Sequence, residues 1–119
     1  MSVEKNNNFG LINISIDAIA TLAGSAVTEC YGVVGMASQK VFKDGLAELL
    51  GKENYSKGIV VRSKNDILEL DLYIIVGYGV KISQVVNEVQ KKVKYELERS
   101  LELEFKAINV YVQGVRASD

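Results

Sequence analysis

Apolar and polar positions alternate most sharply at 67–76. Leu68, Leu70, Leu72, Ile74 and Val76 fall on one side of an extended chain, and Ile67, Glu69, Asp71, Tyr73 and Ile75 on the other. That period of two predicts a strand. A period of three to four takes over at Ile82 and runs to Leu101, through Val85, Val86, Val89, Val93 and Leu97 with Tyr95 beside them. It predicts a long helix with one sustained apolar face. Its other face mixes Glu88, Lys91, Lys92, Lys94, Glu96, Glu98 and Arg99. A Glu88–Lys92 pair there is worth a few tenths of a kcal/mol. Alternation returns at 107–113, where Ile108, Val110 and Val112 interleave with Asn109, Tyr111 and Gln113.

Earlier in the chain, 9–14 reads as a short strand. Ser15 then suits a helix N-cap, and Asp17 sits favourably in the first turn. Ile16, Ile19, Ala20, Ala23, Val27 and Cys30 draw the apolar stripe of a first helix, which Gly32 stops. Another extended segment is expected at 33–37. Between Lys40 and Lys57 the pattern predicts a loop carrying a short helix over 44–51 (DGLAELLG), with Leu46, Leu49 and Leu50 on one face and Gly51 as C-cap. Residues 58–62 read as a further strand, joined to the one at 67–76 by a turn over 63–66.

The expected fold class is α+β: a single mixed β-sheet with two main helices on one face, in the order β-α-β, a loop with a short helix, then β-β-α-β. Residues 1–8 are expected to be a disordered N-terminal segment, 9–115 one domain, and 116–119 a C-terminal tail. The sheet face turned away from the helices would carry Glu69, Asp71, Tyr73, Asn109, Tyr111 and Gln113. That row is the candidate interaction surface, since tyrosines on an open sheet face serve as interface anchors, although cross-strand packing accounts for them as well.

Composition narrows the function classes. Hydrophobic residues make up 48% of 119 and charged ones 24%, the balance of a folded domain large enough for its own core. Fourteen basic residues against 15 acidic ones give a net charge of −1, which disfavours a dedicated nucleic-acid binder. Cys30 is the single cysteine, so no intramolecular disulfide is possible, and a lone thiol fits a reducing, cytoplasmic setting. No apolar run approaches the roughly 20 residues of a membrane-spanning helix. The first ten residues lack the apolar stretch of a secretory signal.

Histidine is absent, which removes the side chain best suited to proton transfer near neutral pH. Cys30 has no base to activate it and lies on an apolar stripe, so it reads as a small buried hydrophobe. No catalytic residues, no cofactor and no metal site are therefore expected; the carboxylates are scattered, without calcium-loop spacing. The Gly-Tyr-Gly at 77–79 precedes a helix, but matches neither dinucleotide nor phosphate-loop spacing, and reads as a turn. The lysine-rich QKKVKYELER has acids through it and reads as a solvated helix face.

Three segments bring a family into view: GLINISIDAIATLAGSAVTECYGVVGM, then GLAELLGKENYSKGIVV, then YGVKISQVVNEVQKKV followed by INVYVQGV. In that order, over about residues 10–115, the chain resembles the alkaline-shock, envelope stress response proteins of Gram-positive bacteria, formerly a domain of unknown function. It departs at Lys81 and Ser83, where many relatives carry asparagine and proline. The resemblance implies a non-enzymatic cytoplasmic protein, peripheral to the membrane, that acts as a scaffold or adaptor. It also implies protein partners, including a membrane-anchored one, and self-association into a homo-oligomer. Two alternatives stay open: a nucleic-acid-binding α/β module, and a regulatory partner of a dihydroxyacetone-kinase-like enzyme.

Overall fold

The computed structural model describes residues 2–7, 10–41, 47–65 and 67–117. Its elements run β1 (Ser2–Asn7), β2 (Gly10–Ser15), α1 (Ile16–Thr28), β3 (Val33–Val41), β4 (Ala47–Leu49), a 3-10 helix (Lys52–Gly58), β5 (Ile59–Lys64), β6 (Ile67–Gly77), α2 (Ile82–Leu101) and β7 (Phe105–Arg116). The expected α+β class, with a mixed sheet and two main helices, holds.

Strand β6 is the axis of the main sheet. β7 runs parallel to it from Leu68↔Phe105 to Gly77↔Arg116, with register shifts after Leu68 and after Ile74. On the opposite flank β5 pairs antiparallel with 67–72 and β3 with 74–76, so those two strands follow each other along one edge. β4 adds to β3.

The helices cover one face. Leu68, Leu70, Leu72, Ile74 and Val76 from β6 meet Ile19, Ala23 and Val27 of α1 and Val85, Val89, Val93 and Leu97 of α2 in one buried core. Small side chains let α1 sit close: a Cβ on Gly24 would collide with the Tyr55 ring, which packs there from the 3-10 helix. Lys92, expected to pair with Glu88 along α2, instead reaches Glu29 at the end of α1 (3.4 Å), tying the two helices together. Ile82, on the expected apolar stripe, is 44% exposed at the first turn.

Three expectations are corrected. Residues 2–7, expected to be disordered, form β1 and pair with β2 from Ser2↔Ser15 to Asn7↔Gly10, a two-stranded sheet separate from the main one. Second, 47–49 is strand and not part of a short helix; Leu50 is buried and Leu49 exposed, the alternation of an extended chain. Leu46 and the rest of 42–46, like Met1, Asn8, Phe9, Asp66, Ser118 and Asp119, lie outside the described residues. Third, the last strand extends to 105–116, beyond the expected 107–113.

The turns follow their residues. Asn65 takes φ +52° directly after the Lys64↔Ile67 pair, the left-handed geometry that tight hairpins favour and asparagine tolerates. Gly79 takes φ +82° between β6 and α2, so Gly-Tyr-Gly is a strand-to-helix turn.

Candidate functional site

The sheet face away from the helices gathers side chains from β5, β6 and β7. The parallel register sets Asp71 beside Asn109 and Tyr73 beside Tyr111. From the other flank β5 brings Arg62 opposite Glu69. Asp71 is the one buried charged residue among the described residues, at 8% exposure. Its Oδ1 accepts two hydrogen bonds, from Arg62 Nη2 and from Asn109 Nδ2, both at 2.9 Å. The same Arg62 nitrogen lies 3.4 Å from Glu69 Oε1. A carboxylate this shielded is tolerated because a charged donor and an amide satisfy it. The hydrogen bond to Asp71, and then its charge, hold the Arg62 guanidinium above its ordinary range.

Next along the row, the rings of Tyr73 and Tyr111 stack with centroids 5.0 Å apart and planes 19° from parallel. Tyr73 is half-buried, and burial, followed by the nearby Asp71 carboxylate, pushes its hydroxyl above the usual tyrosine range, so it stays neutral. Tyr111 is 43% exposed and covers its neighbour's ring. Farther on, Gln113 donates to the carbonyl oxygens of Ser38 (3.3 Å) and Gln39 (3.2 Å). That end of the row is therefore engaged by β3. Ile75 and Ala37 are fully buried beside it, with Val34 and Tyr73 packed against them.

The six residues expected on this face are thus brought together but do not contribute alike. Asp71, Asn109 and Gln113 spend their polar groups inside the fold. Glu69 and Tyr111 face outward, with Tyr73 between. Arg62 was missed by sequence reasoning. Its signal was the hairpin register, which aligns it with Glu69 once Asn65 fixes the turn.

Chemically, the face offers stacked rings and one guanidinium ion-paired with two carboxylates; among its described residues no acid–base pair is aimed at a cleft. Among the described residues no group of three or more Cys, Asp or Glu side chains could hold a metal ion. Cys30 is partly buried, with Sγ 3.3 Å from the Ala26 carbonyl oxygen, and burial pushes its thiol up, although Lys92 works the other way. An electrophile therefore meets the neutral thiol at neutral pH. No helix among the described residues is long and apolar enough to cross a membrane.

Comparison with known proteins gives one consistent result. The family of alkaline-shock proteins, described as having a cell envelope-related function, matches residues 4–117. The uncharacterised protein YloU of Bacillus subtilis (strain 168) is 49% identical over 119 residues, covering 100% of this chain and 99% of that one. The uncharacterised protein Spy1614 of Streptococcus pyogenes serotype M6 is 47% identical over 116 residues, 98% of this chain and 96% of its own. A second uncharacterised Bacillus subtilis protein, YqhY, is 30% identical over 112 residues, 94% and 82% of the two chains. No solved structure matches.

Proposed function

The chain belongs to this alkaline-shock protein family, whose function is cell envelope-related, and we propose that it serves there as a non-catalytic scaffold or adaptor in the response to envelope and alkaline stress. It works by protein–protein contact in the cytoplasm, peripheral to the membrane. Its partners are a membrane-anchored protein and further copies of itself.

The observation that supports this reading is the stacked Tyr73–Tyr111 pair, with Tyr111 43% exposed. Beside it the Arg62 side chain is 49% exposed. Tyrosine and arginine are among the side chains that most often carry interface energy, tyrosine through its wide, rigid ring and arginine through its planar array of donors. The Arg62 guanidinium is already paired with Asp71 and Glu69, so a partner covering this face would not strand that cation, and the cluster's one excess negative charge lies with the partly exposed Glu69.

Affinity capture from alkali-stressed cells, with membrane and soluble fractions kept apart, tests the proposal. The wild-type protein should retain a partner from the membrane fraction that Tyr111→Glu does not retain. Equal capture by both, or capture by neither, contradicts it.

A further inference from the structure

A second surface lies between α2 and the outer edge of the sheet. Among the described residues β7 pairs with β6 alone, so its other edge is an open strand edge. Beside that edge, α2 and the start of β7 enclose a groove of about 240 Å³. Lys91 and Lys94 line it from the helix and Lys106 from the strand, with Asn87 and Gln90 between them and no carboxylate in the lining. Lys94 lies 4.0 Å from Glu98, whereas Lys91 and Lys106 make no ion pair among the described residues. The other cations of the helix are held elsewhere: Lys92 by Glu29, and Arg99 by Glu96. Gln90 donates to the Ile108 carbonyl at 2.8 Å, so a side chain supplies to β7 the kind of bond a neighbouring strand would supply from its backbone.

We infer that this groove takes an extended acidic segment of a partner protein, which adds to β7 as a further strand and sets its carboxylates against Lys91, Lys94 and Lys106. Backbone pairing along an open edge gives such a segment its affinity, and alternate side chains give it selectivity. Alternate residues of a strand are about 6.6 Å apart, a spacing the long lysine side chains can meet. Two carboxylates separated by one residue therefore reach the helix lysines while the backbone bonds to β7. Gln90 gives way to the incoming N–H. A nucleic acid fits less well: Glu88, Glu96, Glu98, Glu102 and Glu104 on or between the same two elements, and a net charge of −1, oppose a continuous phosphate chain.

Fluorescence anisotropy with a labelled ten-residue peptide of alternating Glu and Thr tests this, beside a Lys–Thr peptide of equal length. Hydrogen exchange is followed over 105–110. The Glu–Thr peptide should bind, weaken with added salt and slow exchange at those β7 amides. Lys91→Glu, Lys94→Glu and Lys106→Glu combined should cost about tenfold or more in affinity and transfer preference to the Lys–Thr peptide, with the far-ultraviolet spectrum unchanged. If that triple variant misfolds, Lys106→Gln should still weaken binding and flatten its salt dependence. The inference is overturned if the Glu–Thr peptide does not bind, or binds the charge-reversed protein equally well. A ten-nucleotide oligo-dT that binds more tightly and displaces the peptide also overturns it. So does protection of 105–110 that grows with the concentration of the protein alone, which would make the occupant a second copy.

Discussion

Removing Arg62 separates the shielded carboxylate from its charged partner, and the structure sets how much that costs. Asp71 Oδ1 would keep the Asn109 bond and lose the one from the guanidinium, each 2.9 Å long. An Asp71 side chain 11% exposed recovers little hydration in exchange, whereas Arg62, at 49%, is half solvated already. The cost of Arg62→Ala therefore arises at Asp71: a shielded carboxylate left short of one donor costs about 1–3 kcal/mol, and the lower half of that range is expected because Asn109 still serves it. Asp71→Ala leaves Arg62 free to turn to water and strands only the Asn109 amide, so about 1 kcal/mol is expected. The double variant should cost less than the sum, with a coupling of about 1 kcal/mol. Urea unfolding followed by far-ultraviolet circular dichroism measures all three. Costs that add to within about 0.3 kcal/mol would show that Arg62 and Asp71 do not stabilise each other, and this face would lose its electrostatic centre.

Other expectations concern the frame beneath that face. Leu97→Ala empties a fully buried position of α2 and should cost about 3 kcal/mol in the same urea experiment. Asn65→Val places a β-branched residue at φ +52° and should lower stability by about 1–2 kcal/mol, read as a lower melting temperature. Cys30, whose thiol is raised by burial, should react with iodoacetamide at pH 8 more slowly than a cysteine in a short peptide, and at the peptide's rate after unfolding in urea. The sign of its linkage follows: the unfolded chain gives up the thiol proton first. Stability is therefore whole below the ordinary thiol range and declines as pH rises through it, and Cys30→Val should remove that decline.

How much was legible in the chain differs by element, for physical reasons. β6 and α2 declared themselves because each repeats one period of apolar residues over ten or more positions, every second residue in β6 and every third or fourth in α2, and a repeated period is hard to mistake. The short helix over 44–51 was misread because Leu46, Leu49 and Leu50 have helical spacing, yet 47–49 is too brief for any period to decide. Pairing with β3 at Ala37↔Leu49 settles it as strand. β1 was missed because Ser-Val-Glu-Lys-Asn-Asn carries no apolar stripe; it is placed by backbone bonds to β2, which leave no trace in side-chain pattern. The six outward residues were legible from alternation alone. That Asp71 and Gln113 are consumed within the fold, and that Arg62 joins them, depends on register and on the reach of β3 to Gln113, which no local pattern encodes.

Sedimentation velocity over micromolar to hundred-micromolar protein, comparing the wild type with Tyr111→Glu, bears most directly on the claim that the tyrosine-bearing sheet face is a contact surface. Wild-type protein should form species larger than the 13.1 kDa chain as concentration rises, and Tyr111→Glu should remain a monomer while keeping its fold. Wild-type protein that stays monomeric throughout, or variant assemblies identical to those of the wild type, would contradict that claim.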